Sequence, residues 1–300
     1  MAPILDATSP RWFVDAIAAP AVEHRVTVDG CSILYRSWGK RENPALLLVH
    51  GGAAHSHWWS FLAPLLTDRY YVLAIDLSGH GDSERRANYP RRIWAQELIG
   101  VIDDARLAAP PVVIGHSMGG IVTIIAASLH GGHLAGAIAV DAPVRRPDPE
   151  SDPRQRGRAF RNPKTYPDLQ SAMARFRLVP EQPCDNDFIL QYIARHSLRE
   201  VAGGYTWKFD PRCFEGLPTD AMSDYLSTVR CRFALIVGKK SAVVTKEASE
   251  YMYELLQRNA PLVEIPEAYH HLLLDQPIAF IAAVRALLAD WEHSLPRAAE

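Results

Sequence analysis

Val112-Val113-Ile114-Gly115-His116-Ser117-Met118-Gly119-Gly120-Ile121-Val122 is the stretch that decides how this 300-residue chain is read. Val112–Ile114 is a β-branched apolar run of the kind buried on both faces of a parallel sheet. Met118–Leu129 is an apolar run of helical length. A strand must therefore end and a helix begin within one sharp turn. Glycines flanking Ser117 relieve crowding there and leave the serine hydroxyl exposed at the C-terminal edge of a sheet. The glycine-x-serine-x-glycine string alone is modest evidence in a chain with 18 glycines. Its place at a strand-to-helix junction gives it weight against the plainer alternative, a small-residue turn with no chemistry.

The same alternation extends outward on both sides. Ala45–Val49, Val72–Asp76, Ala137–Asp141 and Phe233–Gly238 repeat the compact apolar run, and Leu62–Leu66, Ile93–Leu107 and Lys246–Arg258 supply helices between them. Leu262–Ile265 reads as a last strand and Ala279–Trp291 as a closing helix. This order predicts an α/β fold with a mostly parallel central sheet flanked by helices. Upstream, Trp12–Ala19 reads as a short helix, and Arg25–Asp29 and Cys31–Trp38 flank the turn pair Asp29-Gly30. Between Pro143 and about Val229 the rhythm breaks. Six prolines from Pro143 to Pro167 precede helical patterning around Leu169–Phe176 and Phe188–Val201. The expectation is a core of residues 1–142 and 230–300 carrying a helical lid over 143–229.

Composition narrows the function classes. Lys+Arg 32 against Asp+Glu 34 gives a net charge of -2, so no global field draws the chain to nucleic acid. Hydrophobic residues at 48% supply a core and argue against disorder. No apolar run approaches the roughly 20 residues of a membrane span. A small-molecule substrate is the expected partner. Cys31, Cys184, Cys213 and Cys231 are scattered, with neither a CxxC pair nor zinc spacing. Asp6 and Asp15 interrupt the N-terminus as a secretory signal, which leaves a cytoplasmic location as the default. His55-Ser56-His57 lacks the further ligand spacing of a metallohydrolase, so neither metal nor cofactor is expected. From Arg145 to Arg177 nine Lys/Arg face four Asp/Glu. That excess reads either as solvated surface or as attraction of an anionic substrate toward a cleft below.

Four motifs in order resemble the α/β-hydrolase superfamily. Leu46-Leu47-Leu48-Val49-His50-Gly51-Gly52 resembles its oxyanion-loop segment, and Asp76-Leu77-Ser78-Gly79-His80-Gly81-Asp82-Ser83 its structural turn. His116-Ser117-Met118-Gly119-Gly120 resembles the nucleophile elbow, and Ala268-Tyr269-His270-His271 through Pro277 the catalytic-histidine loop. The resemblance covers nearly the whole chain outside the insertion. It implies Ser117 as nucleophile and His270 as base, with Tyr269 where glycine is usual and His271 as the packing neighbour. A register one residue later exchanges the two histidines. It also implies an oxyanion hole from the amides of Met118 and Gly52, or Ala53 if the loop is displaced. The acid departs from the commoner pattern, because Ala242 stands where an aspartate is usual in Gly238-Lys239-Lys240-Ser241-Ala242. Asp141, at the end of the strand before the insertion, is the natural substitute, unless it only caps its turn. His55, Trp58, Trp59, Phe160 and Trp207 are candidate pocket residues.

The function implied is a serine hydrolase acting on an ester, thioester or lactone through an acyl-enzyme. Serine at the elbow argues against chemistry that needs a carboxylate nucleophile. Hydrolysis of an amide or a carbon–carbon bond is the nearest alternative. A ligand-binding receptor that turns over slowly is another, favoured by Ala242 alone.

Overall fold

The apolar runs become the strands of one sheet in the computed structural model, which describes residues 9–146, 158–160, 162–215 and 221–293. Helix α1 (Arg11–Ala18) leads into the hairpin β1 (Val22–Val28) and β2 (Cys31–Trp38), turned at Asp29 and Gly30 with φ of 45° and 72°. Then come β3 (Ala45–Val49), β4 (Tyr71–Ile75), α2 (Arg91–Ala105), β5 (Val112–His116), α3 (Met118–His130) and β6 (Gly136–Val140). The insertion follows with α4 (Leu169–Met173), α5 (Asp187–His196), β7 (Leu198–Val201), β8 (Gly204–Trp207) and α6 (Met222–Ser227). Strand β9 (Arg232–Gly238), α7 (Lys246–Leu255), β10 (Leu262–Ile265), α8 (Leu272–Asp275) and α9 (Pro277–His293) close the chain.

The eight-stranded sheet has the order β1-β2-β4-β3-β5-β6-β9-β10, and only β2 runs against its neighbours. Strands β3, β4 and β6 are buried at every position, as strands covered on both faces must be. Alternate residues feed opposite layers: Leu47 and Leu73 pack with α2 and α3, whereas Leu46, Leu48 and Val72 pack with α1, α5 and α9. Among the described residues no helix is long and apolar enough to cross a membrane. The four cysteines are free.

Two expected helices differ. Leu62–Leu66 is a short 3-10 turn over Ala63–Leu66, because Pro64 removes an amide from a segment too brief to recover it. The helical reading of Phe188–Val201 holds only to His196. Leu198–Val201 instead pairs antiparallel with Gly204–Trp207, and Gly203 and Gly204 take the positive φ values (90° and 134°) that reverse the chain. The insertion is therefore helices plus one hairpin. It leaves after β6 and rejoins at β9, the adjacent parallel strand. Gly81 N–H donates to Lys208 O at 2.8 Å, Asp210 N–H to Gly79 O at 2.7 Å, and Lys208 pairs with Asp82 at 2.7 Å, fastening it to the turn after β4. Midway along the insertion the Asn186 amide donates to Leu274 O at 2.7 Å. Pro147, Pro149 and Pro153, and the basic residues Arg154, Arg156 and Arg161, lie outside the described residues.

Candidate active site

Strand β5 ends at His116 and α3 begins at Met118, leaving Ser117 between them at φ 54° and ψ -119°. This backbone region disfavours a side chain by roughly 1–3 kcal/mol and persists only when the surroundings enforce it. Here Ser117 N–H is held by Val140 O at 2.8 Å. The flanking glycines are required by close approach. A Cβ on Gly115 would lie 2.2 Å from Gly119 O, and one on Gly119 would lie 2.4 Å from His50 O.

The outward-turned hydroxyl meets an imidazole. Ser117 Oγ is 2.9 Å from His270 Nε2, and His270 Nδ1 is 2.7 Å from Asp141 Oδ2. His270 comes from the loop between β10 and α8, and Asp141 from the first position after β6. The carboxylate of Asp141 is wholly buried, which is tolerable because its three hydrogen-bond partners among the described residues all donate to it. Gly238 N–H reaches Oδ1 at 3.0 Å, and the Ser241 hydroxyl reaches Oδ2 at 2.6 Å. A proton on Nδ1 facing that carboxylate leaves Nε2 with its lone pair toward Ser117, the tautomer able to take the hydroxyl proton.

Ser241 is a participant that the sequence reading passed over. It sits beside Ala242, where the resemblance leads one to expect an aspartate, and supplies a hydroxyl to the carboxylate arriving from β6. Its own Oγ accepts the amides of Val243 and Val244 at 3.1 Å each, so its orientation is fixed by backbone. Two further histidines hold loops. His116 Nε2 donates to His270 O at 2.9 Å, and burial, then the nearby His270, push its pKa down to about 3, so it stays neutral. His50 Nδ1 donates to Gly51 O at 2.7 Å while its Nε2 accepts Leu77 N–H at 3.1 Å, tying the glycine loop after β3 to the end of β4. Burial lowers its pKa as well.

His271 makes no hydrogen bond to Ser117. Its amide donates to Gln182 Oε1 at 2.8 Å, and its ring lies against Trp58 and His270 at 5.4 and 4.8 Å. Burial holds its pKa well below the ordinary imidazole range. Asp275 accepts Tyr269 N–H at 2.8 Å and the Gln182 amide at 2.7 Å, bracing the same loop, and burial pushes its pKa up to about 6. Among the described residues, His116, His270 and His271 are the one trio whose ligand atoms gather within 4.8 Å. A metal there competes with the His270–Ser117 contact. The His55/His57 pair belongs to no such group.

Above Ser117 lie two adjoining chambers of about 290 and 280 Å³. The inner one holds Ser117, Gly51, Gly52, Met118 and His270 against apolar walls such as Trp94 and Phe214. The outer one runs beneath the insertion and includes Trp207. Gly52, Trp58, Phe160, Val179 and His271 line both. Gly52 and Met118 thus face the same space as Ser117, whereas Ala53, at φ 56°, lines the outer chamber only. Met118 opens a helix, so its amide has no acceptor within that helix. Of the five expected pocket residues, Trp58, Phe160 and Trp207 line the chambers and two do not. His55 is turned away to Ser197 Oγ at 2.8 Å, and Trp59 packs in the core near Phe280.

Known proteins resemble the chain along most of its length. The model of the alpha/beta hydrolase family matches residues 46–284. An esterase of Mycobacterium tuberculosis is 25% identical over 276 residues, covering 90% of this chain and 89% of that protein. Human monoglyceride lipase is 33% identical over 152 residues, covering 48% of this chain and only 50% of the lipase. A thioesterase domain from the curacin biosynthetic pathway superposes with a TM-score of 0.74 at 22% identity, covering 89% of this chain and 99% of that domain.

Proposed function

The chain belongs to the alpha/beta hydrolase family, and on that premise we propose that it is a serine esterase with Ser117, His270 and Asp141 as its triad. The observation that carries this reading is the unbroken hydrogen-bond chain from Asp141 through His270 to Ser117, ending at the floor of an apolar chamber. In the proposed reaction Ser117 Oγ attacks the substrate carbonyl as His270 Nε2 takes its proton. Asp141 keeps the imidazole oriented and stabilises the imidazolium. The amides of Gly52 and Met118 receive the oxyanion. His270 then returns its proton to the leaving group, and a water activated by the same nitrogen hydrolyses the acyl-serine. The insertion acts as a lid that walls the chambers. Esters, thioesters and lactones all fit this sequence of steps. The similarity to an esterase supports the first of them.

The receptor alternative drew on Ala242 alone, and the 2.7 Å contact from Asp141 supports turnover over passive binding. A fluorophosphonate probe tests the reading directly. One equivalent should attach to Ser117, and short-chain p-nitrophenyl esters should show a burst followed by multiple turnovers. Labelling without turnover would instead assign a binding protein.

A further inference from the structure

The walls of the two chambers differ in charge. Arg91 lines the inner chamber, and Lys164, Arg175 and Arg177 line the outer one, while no aspartate or glutamate lines either among the described residues. A chain that is nearly neutral overall has therefore sorted its charges at this place. The three outer cations are exposed, and none makes an ion pair with a described carboxylate. Among the described residues Arg177 donates to the carbonyls of Ala174 and Phe176, at 3.1 and 2.6 Å, and to no carboxylate. Asp168, the acid nearest Lys164 in sequence, spends both oxygens on Ser171 at 2.8 Å each, and Glu181, four residues beyond Arg177, forms no ion pair with it. The cations arise from two separate stretches, the one before α4 and the one after it, so no single helix periodicity brings them together.

We propose that the substrate is an ester with an apolar group on one side of the scissile bond and an anionic group, a carboxylate or a phosphate, on the other. The apolar group occupies the inner chamber beside Ser117. The anionic group lies in the outer chamber, facing Lys164, Arg175 and Arg177. Phe160 and Trp58, shared by both chambers, flank the passage between them. The assignment rests on Ser117 being the reacting group and adds the substrate class to it. Cations at a solvent-open mouth act through a partly screened field. They therefore raise capture of the charged substrate more than the rate of the chemical step.

Matched substrate pairs test this. The p-nitrophenyl half-ester of adipic acid is compared with p-nitrophenyl hexanoate, which places the charge on the acyl side. 4-Acetoxybenzoate is compared with phenyl acetate, which places it on the leaving group. 4-Acetoxyphenyl phosphate, beside 4-acetoxybenzoate, separates phosphate from carboxylate. In at least one pair kcat/KM for the anionic ester should exceed that of the neutral one by about tenfold, a ratio that shrinks as salt rises from 0.05 to 0.5 M, as expected for screened charges. In the triple variant Lys164→Gln, Arg175→Gln, Arg177→Gln the ratio should fall toward one, chiefly through KM. Neutral esters turned over with no anionic preference in any pair would overturn the substrate class and leave the esterase reading standing. No turnover of any ester by protein whose Ser117 takes the fluorophosphonate would overturn the esterase reading itself.

Discussion

The floor and the roof of this site are built by opposite means. On the floor, Ser117, His270 and Asp141 are tied to one another and to Val140, Gly238 and Ser241, and the carboxylate is wholly buried. The roof presents three exposed cations, Lys164, Arg175 and Arg177, that pair with no carboxylate among the described residues, on an insertion tied to the core at Asn186, Lys208 and Asp210. Around Asp141 such a floor is sensitive to lost bonds, because each lost donor leaves an oxygen of a buried carboxylate unpaired. Substitution of the exposed cations on the roof should leave the fold intact, because they bury no polar group. The floor is thus suited to setting the chemistry, and the roof to choosing the substrate.

The contrast is broken most directly at Ser117. Ser117→Ala should lower kcat by roughly 10⁴- to 10⁶-fold and abolish fluorophosphonate labelling, with the thermal midpoint unchanged or raised because alanine fits the same turn. Near-native kcat in that variant would remove the floor from the chemistry. Asp141→Asn comes next, with a loss on the order of 10³- to 10⁴-fold. All three partners of this carboxylate donate, so an amide must point its NH₂ at a donor whichever way it turns. Steady-state kinetics beside a circular dichroism spectrum would separate lost catalysis from lost fold. Full activity would mean that Asp141 serves its turn alone.

Smaller effects sharpen the comparison. Ser241→Ala removes one donor to Asp141 and the acceptor of two amides, so kcat should fall about tenfold, equivalent to roughly 1.4 kcal/mol. A change in KM with kcat intact would place Ser241 with the roof. His271→Ala should keep far more activity than His270→Ala, and a reversed order would exchange the two rings. A different measurement is the effect of pH on stability. His80 and His116 have pKa values pushed down to about 3 by burial, against an ordinary value near 6.5. Between those values the unfolded chain binds more protons, so their contribution is complete above about pH 6.5 and is lost as pH falls toward 3. Asp275, raised to about 6, acts in the opposite sense, since its proton is held more tightly when folded. The histidines outnumber it, and the thermal midpoint should drop between pH 7 and pH 5. A flat profile would contradict the neutral, buried state of His80 and His116.

How much was legible in the sequence follows the same division. The alternation of strands and helices and the turn at Ser117 were readable because hydrophobic runs and small residues report local geometry. The loop motif pointed to His270, and His270 is the histidine whose Nε2 lies 2.9 Å from Ser117 Oγ. The hairpin in the insertion escaped, since Leu198–Val201 continues an apolar helical pattern and only Gly203-Gly204 marks the reversal. His55 and Trp59 were expected in the pocket from their place beside Trp58. Their side chains leave in other directions because the 3-10 turn over Ser56–Trp58 fans successive residues apart.

The sequence by itself determined the parallel sheet and the strand-to-helix turn that presents Ser117, because burial pattern and steric crowding act between residues near in the chain. Which carboxylate meets His270 was decided only by the tertiary structure. Asp141 is 129 residues from His270, 97 from Gly238 and 100 from Ser241. Nothing local links those positions. They converge because β6 and β9 lie side by side in the sheet, so that the residue following one strand faces the end of the other. The cationic outer chamber likewise exists only once the stretches on either side of α4 fold over the strand ends, since net charge along the chain does not say which cations will share one space.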